Sequence, residues 1–467
     1  MHRGEIAAGR PVILSLLQVL SVVAVGLAIA VFVTGLSAYY IAAGAAALVL
    51  GLMLAGNLQF GLLVYFCLAA LAFGESPGVQ SPHSGYSAGL MPAQVFLVLL
   101  AVLWLGRAVF VGRFRLVKSE LNLPLAALGA VAVASLVVNN VLRGTRELLF
   151  HQMLIAQVAE VGLLGCSICA FFLAANTLRE RKWIGRLFVP VVLLALYFSA
   201  HQMFGVELPI SIIWGSFLLA AAIAFIYARL LFDKLDRPRV IGLGILLAIL
   251  IYAAYNNLTW VSGWVAVTGA ILVVTWYRSK ALAAFLVALA LLAIFVYPGI
   301  YHSIHEESEA GGDFDRFIIW RDAFHMFMSV NPVLGIGPGN YHPYVYYYNT
   351  LWFGQRTYTT AHSNYVQIAS ELGLMGLAVF VWVIVSGIRV GNRAARASPP
   401  DMRWFGVAAT AILAALAVAS LFGDYLFPSR GNNGIVTFGT TVYTWLILGA
   451  AVAAANLANE ANMPAPE

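Results

Sequence analysis

One histidine directly precedes a predicted membrane helix, and it is the first candidate for a catalytic group. His362 stands two residues before the predicted helix 364–388, in the stretch AHSNYVQIASELGLMG. An imidazole has an unperturbed pKa of about 6.5, so a histidine can act as a general base near neutral pH. A lone histidine is more often an ordinary hydrogen-bonded side chain, but this one follows the only long polar stretch of the chain. We therefore take His362 as the candidate base.

Six arginines form the second candidate group, because they lie on the membrane face that the positive-inside rule leaves poor in cations. Arginine can bind a phosphate group through two parallel N–H donors, which lysine cannot do. This face therefore fits an anionic ligand such as a phosphorylated or pyrophosphorylated lipid. For each arginine the alternative is an ion pair with a nearby Asp or Glu. The six residues are Arg143, Arg146, Arg316, Arg321, Arg356 and Arg430.

Other residues of the same stretch extend the candidate site. Trp320 lies four residues after Arg316, so a helix places both on one face. Gly337 and Asn340 belong to the turn GIGPGN, whose glycines let the backbone approach a ligand closely. The aromatic residues after this turn fit either a membrane-interface belt or stacking against sugars. Glu371 lies inside a predicted membrane helix, where an ionisable group is a functional candidate.

The elements that must position these residues are membrane helices. Hydrophobic residues make up 62% of the 467 residues and charged residues only 10%, which excludes a soluble domain. Long unbroken apolar runs predict an all-α polytopic membrane protein with about 12–14 transmembrane helices. The predicted helices span about 11–34, 38–55, 58–74, 90–110, 121–139, 154–176, 183–204, 210–232, 239–255, 257–277, 280–297, 364–388, 403–422 and 434–457.

These helices divide the chain into four parts. We expect about eleven transmembrane helices in 1–297, a long extramembrane loop at 298–363, about three more helices in 364–457 and a polar tail at 458–467. Within the loop, apolar residues at helical spacing predict an amphipathic helix over 314–330. Its predicted apolar residues are Phe317, Trp320, Phe324, Phe327 and Met328.

The distribution of charge predicts the orientation of the chain and excludes one class of partner. Most of the 26 Lys and Arg residues fall in alternate loops, which places the N-terminus in the cytoplasm and the long loop on the opposite face. The net charge of +6 follows from these loops, so we predict no nucleic-acid partner. No Walker loop, nucleophile elbow or HExxH motif is present. Cys166 and Cys169 lie three residues apart within an apolar run and are interpreted as packing residues, so we predict neither a metal nor a cofactor.

Three short motifs follow one another in the second half of the chain. They read RFIIW at 316–320, PVLGIGPGNY at 332–341 and AHSNYVQIASELGLMGL at 361–377. In this order they resemble the O-antigen ligase and O-antigen polymerase family of bacterial membrane glycosyltransferases, over roughly residues 240–390. The resemblance implies metal-independent, inverting transfer of a glycan from an undecaprenyl-diphosphate carrier to an acceptor hydroxyl. The acceptor would be a lipid A core or a growing polysaccharide, in lipopolysaccharide or exopolysaccharide biosynthesis.

The resemblance also implies roles for individual residues and a location. His362 matches the histidine that activates the acceptor hydroxyl, and Arg316 matches an arginine that binds the donor diphosphate. The active loop would be periplasmic, in a multi-pass protein of the bacterial inner membrane with a cytoplasmic N-terminus. The full set of expected substrate-binding residues is Arg316, Arg321, Arg356, Trp320, Gly337, Asn340, Asn364 and Glu371.

The sequence departs from the family pattern at one informative position. Ser262 falls where the family carries a second arginine, in an SRG motif at the start of an earlier helix. Either Arg321, Arg356 or Arg430 replaces that arginine, or the chain has changed its substrate or lost its activity. AHSN in place of AHN is a smaller departure, because Asn364 follows His362 closely.

Two alternatives to the enzyme remain open at the level of sequence. A flippase or other transporter of lipid-linked oligosaccharides fits the number of helices. Transporters, however, favour an internal repeat and helices broken near the midplane, and neither is found here, while the long external loop favours the enzyme. The second alternative is an inactive relative that binds lipid-linked glycan, and Ser262 is the residue that favours it.

Overall fold

The computed structural model describes most of the chain beyond its first 56 residues. The described residues are 57–69, 71–72, 92–110, 116–142, 150–206, 211–212, 215–257, 261–296, 313–341, 344–345, 361–398, 402–428 and 438–462. Of the unit Met1–Gly61 only residues 57–61 are described, and the features below belong to the second compact unit, Leu62–Glu467. The predicted helices 11–34 and 38–55 lie outside the described residues, as do Arg143, Arg146, Arg356 and Arg430.

The chain is an all-α polytopic membrane protein. Six of the described helical stretches are long and apolar enough to cross a membrane: Asn122–Val141, Gln157–Thr177, Arg181–Phe204, Arg237–Asn256, Asn364–Ala397 and Thr441–Asn459. In chain order the helices are α1 (Leu58–Leu68), α2 (Pro92–Phe110), α3 (Asn122–Leu142), α4 (Phe150–Thr177), α5 (Arg181–Arg186), α6 (Phe188–Phe204), α7 (Gly215–Phe232), α8 (Arg237–Asn257), α9 (Val261–Arg278), α10 (Lys280–Val296), α11 (Asp313–Val330), α12 (Asn364–Ala397), α13 (Arg403–Ala419) and α14 (Phe438–Asn462).

Every predicted helix from 58–74 onwards coincides with a helix of the structure, although several of the predicted ends were wrong. The helix predicted over 364–388 continues to Ala397, and the one predicted over 434–457 ends at Asn462. The helix predicted over 58–74 ends at Leu68, and Leu71–Ala72 forms a short strand, β1. The helix predicted to begin at 210 begins at Gly215, after a second strand, β2 (Ser211–Ile212). The two strands pair antiparallel. Hydropathy missed them because a short apolar strand and a helix end have the same composition.

The single helix predicted over 183–204 is divided in two at Leu187. The N–H of Leu187 donates to the carbonyl of Ile184, a tight turn that ends α5 (3.2 Å). Pro190 in the first turn of α6 has no N–H to continue the helical ladder back to α5. A proline is tolerated in the first turn of a helix, so the helix restarts at Phe188 instead of bending.

Helices α13 and α14 form the interior of the bundle, with α9, α7 and α12 packed against α13. Small residues let α12 and α13 approach closely. A Cβ added at Gly406 would lie 2.3 Å from the backbone nitrogen of Ala395, and one added at Gly391 would lie 2.5 Å from Thr410 Oγ1. The opposite extreme is α8, whose Ile241 is 62% exposed and faces the surroundings of the bundle. The C-terminal helices therefore form the rigid base on which the site is built.

The amphipathic helix predicted in the long loop is α11, and it packs against α12. Asn331 ends it, because its Oδ1 accepts the N–H groups of Val333 and Leu334. Of the apolar residues that fall at helical spacing, Phe317, Phe324 and Met328 are exposed. The buried face is instead formed by Ile319, Ala323, Met326 and Phe327. The boundaries 298–363, 364–457 and 458–467 stay predictions.

Candidate functional site

The loop that follows α13, residues 420–428, holds the first residue of α12. Asn364 Nδ2 donates to Asp424 Oδ1 (3.2 Å) and to the carbonyl of Phe427 (3.1 Å). The Oδ1 of Asn364 accepts the N–H groups of Leu426 (2.8 Å) and Phe427 (3.1 Å). The backbone N–H of Asn364 adds bonds to two further carbonyls of the same loop. Asn364 is fully buried, so the structure gives it the task of fixing the 420–428 loop against α12.

His362 occupies a strained and tightly held backbone position at the entrance to α12. Its φ is 48°, in the left-handed region that non-glycine residues rarely adopt. On one side, Ser363 caps α12 by accepting the N–H of Val366 (3.4 Å). On the other side, the carbonyl of buried Ala361 accepts the indole N–H of Trp320 (2.9 Å). Such a conformation persists only where the surroundings fix it, so the backbone that carries the imidazole has a defined position.

The electrostatic surroundings of His362 favour the neutral imidazole. Burial lowers the pKa of His362 below its usual value, the charge of Asp424 raises it, and the charge of Arg316 lowers it. The first cause is the largest, so the ring is neutral and able to accept a proton at neutral pH. A carboxylate and a guanidinium therefore both act on the same imidazole.

Arg316 approaches this group from α11. Its guanidinium Nη1 donates to the carbonyl of Phe422 in the 420–428 loop (3.3 Å). Trp320, one turn later on α11, is half-buried, and its ring lies 6.3 Å from that of Phe422. Arg316 and Trp320 therefore lie on the same face of α11, as predicted, and both are close to Phe422. Arg316, Trp320, His362 and Asp424 come together at the junction of α11, α12 and the 420–428 loop.

The glycine-rich turn after α11 fills a break in α12. Gly373 has a non-helical backbone (φ 71°), so the carbonyls and N–H groups around it have no partners within the helix. The N–H of Ile336 donates to the carbonyl of Ser370 (2.8 Å) and that of Gly337 to the carbonyl of Glu371 (3.0 Å). In return, the N–H of Leu374 donates to the carbonyl of Pro332 (2.9 Å). The turn and the kink therefore satisfy each other's backbone groups.

Close approach explains the glycines on both sides of this contact. A Cβ added at Gly335 would lie 2.5 Å from the carbonyl carbon of Glu371. One added at Gly373 would lie 2.1 Å from the carbonyl oxygen of Val333, and both glycines have a positive φ of 71°. The sequence predicted that the glycines of the turn, which have no Cβ, let it approach a ligand closely. In the described residues, the backbone that the turn approaches is that of α12.

We predict that Gly373→Ala destabilises the protein by more than about 3 kcal/mol, because strained backbone and a steric clash add together. Gly165→Ala in α4 is the matched control, since nothing lies within 4 Å of its added Cβ. The control variant should match the wild type in thermal unfolding measured in detergent. Equal unfolding temperatures for the two variants would contradict the described contact.

Glu371 and Asn340 lie in the protein interior beneath this turn. Glu371 Oε1 accepts the side-chain amide of Gln367 (2.6 Å) and the N–H of Tyr341 (3.2 Å). Asn340 donates to the carbonyl of Ile336 (2.8 Å) and accepts from Gln157 Nε2 of α4 (2.9 Å). Both are buried, and their polar groups are used within the protein. Their observed contacts hold the turn in place.

The remaining predicted site residues are not brought into this cluster. Arg321 is on the exposed side of α11, and its guanidinium pairs with Asp322 (3.0 Å). Arg356 lies outside the described residues. The buried Ser262 of α9 shares a hydrogen bond with the hydroxyl of Tyr425 (3.0 Å), directly after Asp424. Ser262 stands where the O-antigen ligase and polymerase family carries an arginine. This position is therefore adjacent to the cluster, but it holds a hydroxyl in place of a cation.

Asp424 is a candidate site residue that sequence reasoning missed. It acts on His362 and accepts from Asn364, yet it is far from both in the chain. One signal was available: it is the only Asp or Glu between residues 402 and 459, in a loop on the same predicted face as His362. An isolated acid in so apolar a stretch is a functional candidate.

The comparison with protein families agrees with the location of this cluster. Residues 242–381 match the family described as O-Antigen ligase. This stretch of the chain is therefore similar to an O-antigen ligase domain. The match covers α9, α11 and the first half of α12, with Ser262, Arg316 and His362, whereas Asp424 lies beyond its end. The search of curated proteins finds no match. The O-antigen ligase domain supports an activity in glycan transfer.

Proposed function

We propose that the protein transfers a glycan from an undecaprenyl-diphosphate carrier to an acceptor hydroxyl at the periplasmic face of the bacterial inner membrane. The observation that carries this proposal is the convergence of Arg316, His362 and Asp424 at one end of the O-antigen ligase domain. The acceptor is a lipid A core or a growing polysaccharide. The predicted orientation, with the N-terminus in the cytoplasm, puts the cluster on the periplasmic side.

The reaction is an inverting displacement at the anomeric carbon of the donor. Neutral His362 takes the proton from the acceptor hydroxyl while its oxygen attacks the anomeric carbon. The bond between that carbon and the phosphate oxygen breaks, and the lipid diphosphate leaves with the bond's electron pair. Arg316 stabilises the charge of the leaving diphosphate, because a guanidinium that is already in position stabilises negative charge as it develops. The negative charge of Asp424 stabilises the protonated imidazole.

The other predicted binding residues take two kinds of role in this proposal. Gly337, Asn340, Asn364 and Glu371 position the site, since their described contacts are to protein. Trp320 has both a positioning role and a binding role. Its indole N–H fixes the backbone before His362, and its ring lies beside Arg316, where it can contact substrate. Contacts of Arg321 and Arg356 with substrate stay predictions. The mechanism uses only side chains of this chain, without metal or cofactor.

An in vitro transfer assay tests this function. Purified protein in lipid vesicles receives an undecaprenyl-diphosphate glycan and an acceptor in the presence of a chelator, and the products are separated on a gel. A ladder of products identifies a polymerase, and a single transfer to a lipid A core identifies a ligase. Binding of the donor without any transfer would favour the inactive relative, with Ser262 as the first residue to change to arginine. Movement of the donor across the vesicle membrane without transfer would favour a transporter.

We predict that Asp424→Asn lowers the transfer rate at least about tenfold and shifts its pH dependence, because a carboxylate that orients a catalytic histidine also stabilises its protonated form. The charge of Asp424 raises the pKa of His362, so its removal lowers that pKa. The acidic limb of kcat/KM, where His362 becomes protonated, should therefore move to lower pH. A merely structural role would leave the position of this limb unchanged.

Asp322→Asn is the matched control for this substitution. Asp322 pairs with the exposed guanidinium of Arg321 on α11. The same change of charge and shape there should leave the acidic limb where it is in the wild type. A shift of equal size in both variants would contradict a specific action of Asp424 on His362.

A further inference from the structure

A groove with apolar walls lies between α9 and α10, away from the candidate site. It has a volume of about 490 Å³ and is open on one side. Its walls include Leu272, Val273 and Trp276 from α9, and Ala283, Val287 and Leu291 from α10. Ala283 and Ala288 leave the space that larger side chains would fill. The groove therefore has the shape and the chemistry for a hydrocarbon chain.

Two cations lie in the turn that connects the two helices of this groove. Arg278 ends α9 and Lys280 begins α10, with only Ser279 between them. The Lys280 ammonium lies 5.6 Å from the ring centroid of Trp276, a residue of the groove wall. Among the described residues, no carboxylate forms an ion pair with either cation. The N-terminus of α10 adds a positive dipole end at the same point.

The same end of the bundle carries further positive charge. Tyr277 hydroxyl donates to Asn392 Oδ1 on α12 (3.0 Å), and the charges of Arg396 and Arg403 act on it. The described acids near this end have basic partners of their own, such as Asp233 with Arg229. The end of the groove at Trp276 and Ala283 is therefore close to an excess of positive charge.

We propose that this groove binds one acyl chain of an anionic phospholipid, with the lipid phosphate on Arg278 and Lys280. An amphiphile with one negative headgroup and a hydrocarbon chain complements both the cations and the apolar walls. The glycan donor is the wrong ligand for the cations. Ser262 marks the end of α9 near the candidate site, and Trp276 lies about 21 Å further along the helix axis at 1.5 Å per residue. A diphosphate at Arg316 cannot also reach Lys280. This inference does not depend on the proposed glycan transfer.

Quenching of tryptophan fluorescence by brominated acyl chains tests the proposal. The protein is placed in vesicles of phosphatidylcholine that contain a fixed fraction of brominated phosphatidylglycerol or of brominated phosphatidylcholine. The difference between the wild type and Trp276→Phe isolates the quenching of Trp276. We expect about a fivefold or greater preference of this site for phosphatidylglycerol, since each basic residue near an anionic lipid contributes about that factor. Arg278→Gln combined with Lys280→Gln should remove the preference.

Two matched variants make the result specific. Arg237→Gln with Arg239→Gln removes the same charge from the exposed start of α8, and it should keep the preference. Ala288→Phe fills the groove and should reduce the quenching of Trp276 by either brominated lipid. Equal quenching by both lipids in the wild type, or a preference that survives neutralisation of Arg278 and Lys280, would overturn the proposal. Displacement of brominated phosphatidylglycerol by an equal amount of undecaprenyl phosphate would also overturn it, in favour of a polyprenyl chain.

Discussion

His362→Asn is expected to lower the rate of glycan transfer by about 10²–10⁴-fold, which is the usual contribution of a general base. Asparagine is the sharpest replacement, because it tolerates the left-handed backbone (φ 48°) that His362 adopts. Its amide cannot take a proton, so the variant removes the chemistry and keeps the local fold. The in vitro transfer assay measures the loss, with protein level and membrane insertion unchanged.

His325→Asn provides the matched control for this substitution. His325 is an exposed histidine on α11, the helix that also carries Arg316. The same chemical change at that position should leave the rate of glycan transfer within about twofold of the wild type. Substitutions of surface residues outside a functional site or a buried contact usually have small effects. Normal transfer by His362→Asn would refute the assignment of the base, and with it the proposed mechanism. Loss of transfer in both variants would indicate damage to α11 instead of lost proton transfer.

Arg316→Lys is the second substitution with a large expected effect, and it keeps the positive charge. The guanidinium of Arg316 donates to the carbonyl of Phe422 and can present further N–H groups to a diphosphate. Lysine is a point charge on a flexible chain and cannot make both contacts in a fixed geometry. Because the contact is proposed to strengthen as the diphosphate leaves, kcat should fall by about 10²–10³-fold, with a smaller change in KM.

Arg321→Lys is the matched control on the same helix. Arg321 is exposed and pairs with Asp322, so lysine can replace its charge at a surface position. We expect its kcat to stay within about twofold of the wild type, as for other surface substitutions. A loss in Arg321→Lys as large as that in Arg316→Lys would show that the diphosphate site extends along the outer face of α11. Normal kcat in both variants would remove Arg316 from the mechanism.

Much of the fold could be predicted because membrane helices are local in sequence. In a bilayer each helix satisfies its own backbone, so its position follows from hydropathy over about twenty neighbouring residues. The helices α8 and α9 were found in this way, and the loop helix α11 was found from the helical spacing of its apolar residues. The predictions failed at details of backbone geometry that hydropathy does not report. These were the short strands β1 and β2, the break at Leu187 and the kink at Gly373.

The sequence did not indicate whether Phe317, Phe324 and Met328 face the protein or its surroundings. An apolar stripe on a helix indicates contact with something apolar, and in a membrane protein that partner can be lipid as well as protein. Ile319, Ala323 and Met326 pack inward instead, beside the glycine-rich turn. Periodicity alone could not decide between the two faces.

The sequence by itself determined the class of the protein, most of its helices and two candidate site residues. His362 and Arg316 could be chosen because imidazole and guanidinium chemistry depends on the residue type and on its position beside a membrane helix. Only the tertiary structure decided what surrounds them. It brought Asp424 to His362 across a separation of more than sixty residues, and it gave Asn340, Asn364 and Glu371 contacts within the protein. It also turned the glycines of the turn towards α12. The physical reason is that hydrogen bonds and charges act over a few ångströms in space, and a linear sequence does not record which distant residues come that close.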